Sequence, residues 1–303
     1  MKQEWRAEVT DDRDNRAGID YRTCRYGASR LQFRGPKRPL DGPYIAALGG
    51  SETFGKFVDR PFPDLLEDIL HEPVANFGVM QAGLTSILDD PDILHLASGA
   101  RFTIVQILGA QNMSNRFYSV HPRRNDRFLK ASSSLQRLYP ALDFTEFNFT
   151  GHLVQTLEAE GGQAFAELVG ELKLAWVHRM KSVLDAIRGE TLLLWISGRR
   201  PEETTDATSD FDPLFVDRDM IEELLPHAAG LIEALPSPHA REEGLEARSF
   251  APGEEAAARV LPGPRFHAEV ADALADVIGR PGSSVGRTTS APLVWTSAAS
   301  GAA

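Results

Sequence analysis

Short apolar segments alternate with stretches of helical spacing from residue 44 onwards. Each apolar segment is nearly continuous, without the period of two that a half-exposed strand shows. The pattern predicts strands at 44–48, 73–77, 102–108, 191–196 and 230–234. It predicts helices at 64–70, 84–97 (interrupted at Pro91), 164–187, 217–225 and 268–278.

Strands that alternate with helices in this way predict an α/β fold. We expect a three-layer α/β/α domain of flavodoxin-like type, with a parallel sheet of about five strands and right-handed connections. In such folds, binding sites collect beyond the carboxyl ends of the strands. Ser51, Gly78 and Gly109 follow the first three predicted strands. We therefore expect these three residues to lie near one another.

Three segments do not follow the alternation of strands and helices. Residues 1–43 are predicted to form an arm packed on the main domain (44–278), because Tyr26, Leu31 and Phe33 need burial. Residues 112–160 form a long insertion after the third strand, and insertions of this length usually act as lids or binding elements. Residues 279–303 are rich in Gly, Ser, Thr and Ala, so they are predicted to be a disordered tail.

The composition argues against disulfide, metal and cofactor chemistry. Cys24 is the only cysteine in the 303 residues, which excludes an intramolecular disulfide and favours an apolar filler over a nucleophile. No paired spacing of metal ligands and no phosphate-cradling loop is present, so no metal or other cofactor is expected. The acidic segment 204–212, which includes Asp206, Asp210 and Asp212, is interpreted as a solvated loop rather than a calcium site.

The expected location and partners follow from charge and hydropathy. The first residues lack the apolar core of a signal peptide, and the longest apolar run, 192–196, is far too short to span a bilayer. We therefore expect a cytoplasmic protein without a membrane span. A net charge of −11 disfavours nucleic acid as a partner. A small-molecule or glycan substrate is expected, and the oligomeric state stays open.

The strongest local signal is Gly-Gly-Ser-Glu-Thr-Phe-Gly at 49–55, directly after the first predicted strand. A serine in a glycine-rich turn that opens a helix exposes its hydroxyl, and nearby N–H groups point towards whatever that hydroxyl attacks. The alternative is an ordinary helix N-cap flanked by flexible glycines. Ser51 is thus the candidate nucleophile and the predicted centre of function.

The same segment resembles the first sequence block of the SGNH (GDSL-like) hydrolases, and the resemblance extends over about residues 44–278. It implies a serine esterase or acyltransferase with Ser51 as nucleophile. It also implies an oxyanion hole formed by the N–H groups of Ser51 and Gly78, the latter in Asn-Phe-Gly at 76–78. A side-chain amide completes that hole.

The amide donor is ambiguous because the chain departs from the family at this point. The family has Gly-x-Asn-Asp where this chain has Gly-Ala-Gln-Asn at 109–112. Either amide can donate to an oxyanion. Asn112 is preferred, with Gln111 close behind.

His267 corresponds by the same resemblance to the family's general base, because it stands just before the last predicted helix. The family places an aspartate three residues upstream, whereas this chain has Pro264. The site would then be a Ser–His dyad, or the imidazole would be oriented by a carboxylate such as Glu269 or Asp272 or by a backbone carbonyl. The alternative for His267 is a surface residue that caps a helix.

The insertion carries basic and aromatic residues in close succession. Arginine can bind phosphate, sulfate or carboxylate groups with two parallel hydrogen bonds. We expect the insertion to overhang Ser51, and its candidate substrate-binding residues are Asn115, Arg116, Arg123, Arg124 and Arg127. The alternative is that these arginines pair with acidic residues of the same domain.

Three hypotheses about function follow. The leading one is an esterase or O-acyltransferase acting on an acylated carbohydrate or anionic substrate. The second is a non-catalytic protein of the same fold that binds a glycan or an anion. The third is a scaffold in a polysaccharide pathway that uses residues 20–40 as its interface. The segments 26–30, 33–36 and 109–116 also resemble members of a bacterial family of unassigned function.

Overall fold

A six-stranded parallel sheet forms the centre of the protein, in a computed structural model that describes residues 19–208, 212–279 and 293–296. Its strand order is β2-β1-β3-β6-β7-β8, and a separate antiparallel hairpin joins β4 to β5. The strands are β1 (Ile45–Gly49), β2 (Val74–Gly78), β3 (Phe102–Gln106), β4 (Tyr118–His121), β5 (Arg124–Ala131), β6 (Glu190–Ile196), β7 (Gly230–Ala234) and β8 (Leu293–Thr296).

Helices cover both faces of the sheet, which confirms the predicted three-layer α/β/α fold. The helices are α1 (Ser51–Phe54), α2 (Phe62–Leu70), α3 (Leu84–Leu88), α4 (Pro91–Gly99), α5 (Ser133–Leu138), α6 (Thr150–Glu160), α7 (Gly162–Ala186), α8 (Arg218–Glu222), α9 (Pro238–Glu242), α10 (Glu255–Val260) and α11 (Pro264–Ile278). The predicted break at Pro91 is the start of α4, where Asp90 caps the helix by accepting the N–H of Ile93.

Alternate residues of each strand enter two separate cores. Ile45 and Ala47 of β1 pack with α2 and α11, whereas Ala46 and Leu48 pack with the core that contains α3, α4 and α7. All five residues of β1, β2, β3 and β7 are buried. This burial on both faces explains why the strands are continuously apolar.

The strand order reverses direction between β1 and β3. The chain passes from β1 outwards to β2 and then returns to place β3 on the other side of β1. Such a switch point leaves a crevice at the carboxyl ends of the two central strands, because the connections leave in opposite directions. Ser51 follows β1 directly and therefore lies at this crevice.

The insertion is more ordered than its sequence indicated. We interpreted residues 112–160 as a lid without assigning secondary structure, but it contains the β4–β5 hairpin together with α5 and α6. The hairpin is irregular, with register shifts on both sides of Val120. These shifts interrupt the simple alternation of apolar and polar residues, which explains why the sequence pattern missed the strands.

The arm is packed on the domain through residues 19–43. Tyr26 and Phe33 are buried and make edge-to-face contacts with Phe77 of β2. The guanidinium of Arg34 is also buried and donates hydrogen bonds to the carbonyl oxygens of Gly55 (3.0 Å), Val58 (3.1 Å) and Asp59 (2.6 Å). The arm is therefore held to the segment between α1 and α2 by both apolar and polar contacts.

The end of the chain differs from its predicted disorder at one place. Residues 293–296 form β8 and pair in parallel with β7, whereas the rest of the predicted tail from residue 280 onwards lies outside the described residues. Within the described part of the chain, no helix combines the length and apolar character needed to cross a membrane.

Candidate functional site at the carboxyl ends of β1 and β3

Ser51 is half-buried at the switch point of the sheet. Ser51 is the first residue of α1, immediately after the turn at Gly50. Its Oγ accepts a hydrogen bond of 3.1 Å from the N–H of Gln81. Gln81 lies in the loop between β2 and α3 and has a φ of +60°, in the left-handed region. This backbone conformation brings its N–H to Ser51, and nothing in the local sequence indicated it.

A single buried side chain organises the turn around Ser51. Gln106, at the end of β3, accepts through Oε1 the N–H groups of Gly50 (2.9 Å) and Thr53 (3.3 Å) and the hydroxyl of Thr53 (2.6 Å). Its Nε2 donates to Glu52 Oε2 at 2.8 Å. Gln106 therefore links β3 to the glycine-rich turn. A polar residue inside the apolar run 102–108 was the available signal for this role.

Two carboxyl groups share this side of the crevice. Burial raises the pKa of Glu52, and the negative charge of Asp212 raises it further, while the hydrogen bond from Gln106 opposes the shift. Asp212 accepts a 3.0 Å hydrogen bond from Gln111 Nε2. Asp212 belongs to the acidic segment that we interpreted as a solvated loop. Asp212 is exposed, as that interpretation expects, and its carboxylate is also connected to the site through Gln111.

The amide of Gln111 is almost completely buried, at 7% exposure. Its Oε1 has no hydrogen-bond partner within the described residues, although a buried carbonyl oxygen normally has one. A Cβ at Gly109 would approach this oxygen to 2.3 Å, which explains the glycine at that position. One N–H of the amide donates to Asp212, so Gln111 orients that carboxylate.

Of the other predicted oxyanion donors, Gly78 has its N–H engaged elsewhere, whereas Asn112 is held through its acceptor oxygen. The N–H of Gly78 donates to the side-chain oxygen of Asn76 at 2.8 Å, and the backbone of Phe54 leaves no room for a Cβ at Gly78. Asn112 accepts the hydroxyl of Thr150 at 2.5 Å and so ties the loop after β3 to α6. Gly78 therefore has a packing role, and its N–H is not directed at Ser51.

His267 lies in the interface between α2 and α11. It is 1% exposed, stacks on Phe62, and accepts the N–H of Phe62 through Nδ1 at 3.1 Å. Its Nε2 is buried and has no partner within the described residues. Burial and the positive charges of Arg34 and Arg248 lower the pKa of His267 to about 3.

These facts separate His267 from Ser51. Because Nδ1 accepts a hydrogen bond, the neutral ring carries its proton on Nε2. Neither nitrogen contacts Ser51. The alternative of a surface cap is also wrong, because the ring is buried. Glu269, one of the carboxylates proposed to orient this imidazole, instead accepts hydrogen bonds from the N–H and hydroxyl of Ser237.

Three of the predicted substrate-binding residues of the insertion make contacts away from Ser51. Asn115 accepts the N–H groups of Phe117 and Tyr118, so it shapes a turn. Arg116 pairs with Glu167 of α7 at 2.7 Å, and Arg127 stacks over the ring of Phe149 at 4.5 Å. For Arg116, the pairing alternative holds.

Arg124 is connected to the candidate site. Its Nη2 donates to the side-chain oxygen of Gln81 at 2.9 Å, and the backbone N–H of the same Gln81 reaches Ser51. The insertion therefore reaches the edge of the Ser51 crevice through one arginine. Arg123, the preceding residue, is exposed and lines a different cavity.

The described residues offer little for metal or cysteine chemistry. Within the described residues, no group of three His, Cys, Asp or Glu side chains is arranged to hold a metal ion. Burial raises the pKa of the Cys24 thiol. This shift disfavours the thiolate that a cysteine nucleophile requires.

Comparison with known proteins identifies the family of this chain. No curated protein matches the sequence. A solved structure described as the lipase Lip_vut3 from a goat rumen metagenome is similar at 14% identity; the match covers 78% of this chain and 97% of the lipase chain, with a TM-score of 0.37. The family described as a domain of unknown function, DUF6473, matches residues 9–281. The chain therefore belongs to the DUF6473 family.

Proposed function

We propose that the crevice at Ser51 binds a hydroxyl-rich small molecule or glycan without cleaving it. The observation that carries this proposal is the environment of Ser51 Oγ, which accepts the N–H of Gln81 and contacts no imidazole within the described residues. A serine hydroxyl is a weak nucleophile unless a base removes its proton. Without a base it remains a good partner for a ligand hydroxyl.

The groups around the crevice support a ligand rich in hydroxyl groups. Glu52 and Asp212 present carboxyl oxygens as acceptors, Ser51 presents a hydroxyl, and Arg124 presents a guanidinium at the edge. Sugar hydroxyls both donate and accept hydrogen bonds, so they satisfy such a mixed set. A strongly anionic ligand fits less well, because the two carboxyl groups would repel it.

The test combines glycan binding with chemical labelling. We expect a glycan array to show binding to the intact protein, weakened about tenfold or more in Glu52→Gln and Arg124→Met, because each change removes a charge-assisted hydrogen bond. Arg116→Met is the matched control, since Arg116 pairs with Glu167 away from Ser51. We also expect a fluorophosphonate probe to leave the folded protein unlabelled.

Labelling that disappears in Ser51→Ala would overturn this proposal and establish the second candidate, a serine esterase or acyltransferase. One observation favours that candidate: the N–H of Gln81 lies 3.1 Å from Ser51 Oγ, so a donor stands beside the place where an oxyanion would develop. Glu52, whose pKa is raised, would then be the base in place of His267.

The scaffold hypothesis has less support. It requires the apolar side chains of the arm to face a partner, but Tyr26, Leu31 and Phe33 are buried against the arm's own domain.

A further inference from the structure

A cavity that does not include Ser51 lies between the arm, the junction of α3 and α4, and the turn of the β4–β5 hairpin. Its volume is about 520 Å³, within the range of sites for small molecules. The arm contributes residues 28–31, the helix junction contributes Asp89–Asp92, and the hairpin contributes His121–Arg123. Three segments distant in sequence therefore form one concave surface.

The wall of this cavity is held in place by buried polar contacts. Ser29 donates to Asp90 Oδ2 at 2.6 Å, and the same carboxylate caps α4 through Oδ1. At Gly27, where φ is +54°, a Cβ would approach the carboxylate of Asp92 to 2.8 Å. The close approach of the arm to α4 thus requires this glycine.

Charges of both signs line the cavity without neutralising one another. The guanidinium groups of Arg30 and Arg123 and the carboxylate of Asp92 make no hydrogen bond or ion pair within the described residues. Asp89 also lines the cavity, and its charge acts on Arg179 without a hydrogen bond. Arg30, Asp89 and Arg123 are exposed, so these charged groups are open to a ligand from solvent.

We propose that this cavity binds a small zwitterion, a molecule that carries both an ammonium group and an anionic group. The anionic group contacts Arg30 and Arg123, because guanidinium groups bind carboxylate or phosphate oxygens in pairs. The ammonium group contacts Asp92 and Asp89. The apolar side chains of Leu31 and Pro91 contact the carbon atoms between the two charges.

Calorimetric titration of the full chain tests this directly. The probes are phosphoethanolamine, its two halves (inorganic phosphate and ethanolamine), and the L-amino acids one by one. We expect at least one zwitterion to bind about tenfold or more tightly than either half, because only a zwitterion engages both sets of charges. Arg123→Met and Asp92→Asn should each weaken that binding by a similar factor.

Arg124→Met is the matched control, because the neighbouring Arg124 donates to Gln81 instead of lining this cavity. It should leave zwitterion binding unchanged and affect only the Ser51 crevice, so the two proposals can fail independently. Circular dichroism confirms that Arg123→Met, a change on an exposed turn, keeps the fold.

Three results would overturn the proposal. One is equal binding of phosphate and phosphoethanolamine, which would indicate a simple anion site. Another is the absence of binding by every zwitterion at millimolar concentration. The third is retention on vesicles of phosphatidylethanolamine without binding of any free probe, since the occupant would then be a membrane surface.

Discussion

The same resemblance gave Ser51 and His267 their catalytic roles, yet they lie in opposite environments. Ser51 is half-buried at the carboxyl end of β1, among amide, carboxyl and hydroxyl groups. His267 is enclosed between α2 and α11, where its ring accepts a backbone N–H. The difference teaches that a motif predicts a residue's place along the chain, whereas packing decides whether its side chain meets solvent or a reacting partner.

The largest expected effect is on stability, and it distinguishes the two residues. His267→Ala should lower the free energy of unfolding by about 2–4 kcal/mol, because it leaves a cavity and an unpaired buried N–H at Phe62. Ser51→Ala should change it by about 0.5 kcal/mol or less. Urea denaturation of both variants measures the difference. Equal losses would contradict the assignment of His267 to the core.

The next effect concerns the side chain that organises the Ser51 turn. Gln106→Ala should cost about 2–3 kcal/mol, because several buried groups lose their partner. Gln106→Glu keeps an acceptor for Gly50 and Thr53 but places a carboxylate against Glu52. The stability of Gln106→Glu should therefore improve as the pH falls, because the carboxyl groups take up protons. Thermal melts between about pH 5 and pH 8, the range in which native proteins are usually most stable, measure this trend. A flat profile for Gln106→Glu would contradict the contact with Glu52.

A smaller effect appears in the pH dependence. The folded pKa of His267, about 3, is below its unfolded value of 6.5. As the pH falls from 6.5 towards 3, the unfolded chain binds a proton here that the folded protein does not. Stability is therefore lost across this window, by up to about 1.4 kcal/mol per pH unit.

His267→Gln isolates this contribution, because its side-chain oxygen can still accept the N–H of Phe62. We expect the variant to lose less stability than the wild type between about pH 6 and pH 4, which lies between the folded and unfolded pKa values of His267. Urea denaturation at each pH measures the loss. Parallel curves for the two proteins would show that the imidazole titrates normally and is accessible to water.

The smallest expected effect is a gain in stability. Glu52→Gln should stabilise the fold by about 0.5–1 kcal/mol at neutral pH, because it removes a half-buried charge beside Asp212. The gain should shrink as the pH falls, since the raised pKa of Glu52 lets it take up a proton in the folded state. Thermal melts at about pH 7.5 and about pH 5, near the two ends of the range in which proteins are usually most stable, measure the gain at each pH. A loss of stability would indicate that the carboxylate is structural.

Much of the fold could be predicted from the sequence because the strands are buried on both faces. Continuous apolar segments such as 44–48 and 191–196 have no competing interpretation as half-exposed strands, and Pro91 marks a helix start through its missing N–H. The position of Ser51 also followed, because a residue that directly succeeds a central parallel strand lies at the edge where sites form.

The rest of the site depended on contacts between distant segments. The N–H of Gln81 reaches Ser51 only because the loop after β2 adopts a left-handed conformation at a residue that carries a side chain. Asp212 lies 101 residues from its partner Gln111 along the chain. The apolar pattern predicts that the last helix begins at residue 268, just after His267, whereas α11 begins at Pro264 and the approach of α2 buries the ring of His267.

The turn between β4 and β5 has a consequence for communication within the molecule. Arg123 and Arg124 are adjacent, yet one lines the cavity beside the arm and the other reaches Gln81 next to Ser51. A ligand that prefers one position of this turn alters affinity at the other site only where that site also prefers one position of the turn. Thermodynamic linkage requires the influence to be reciprocal, with the same factor in both directions.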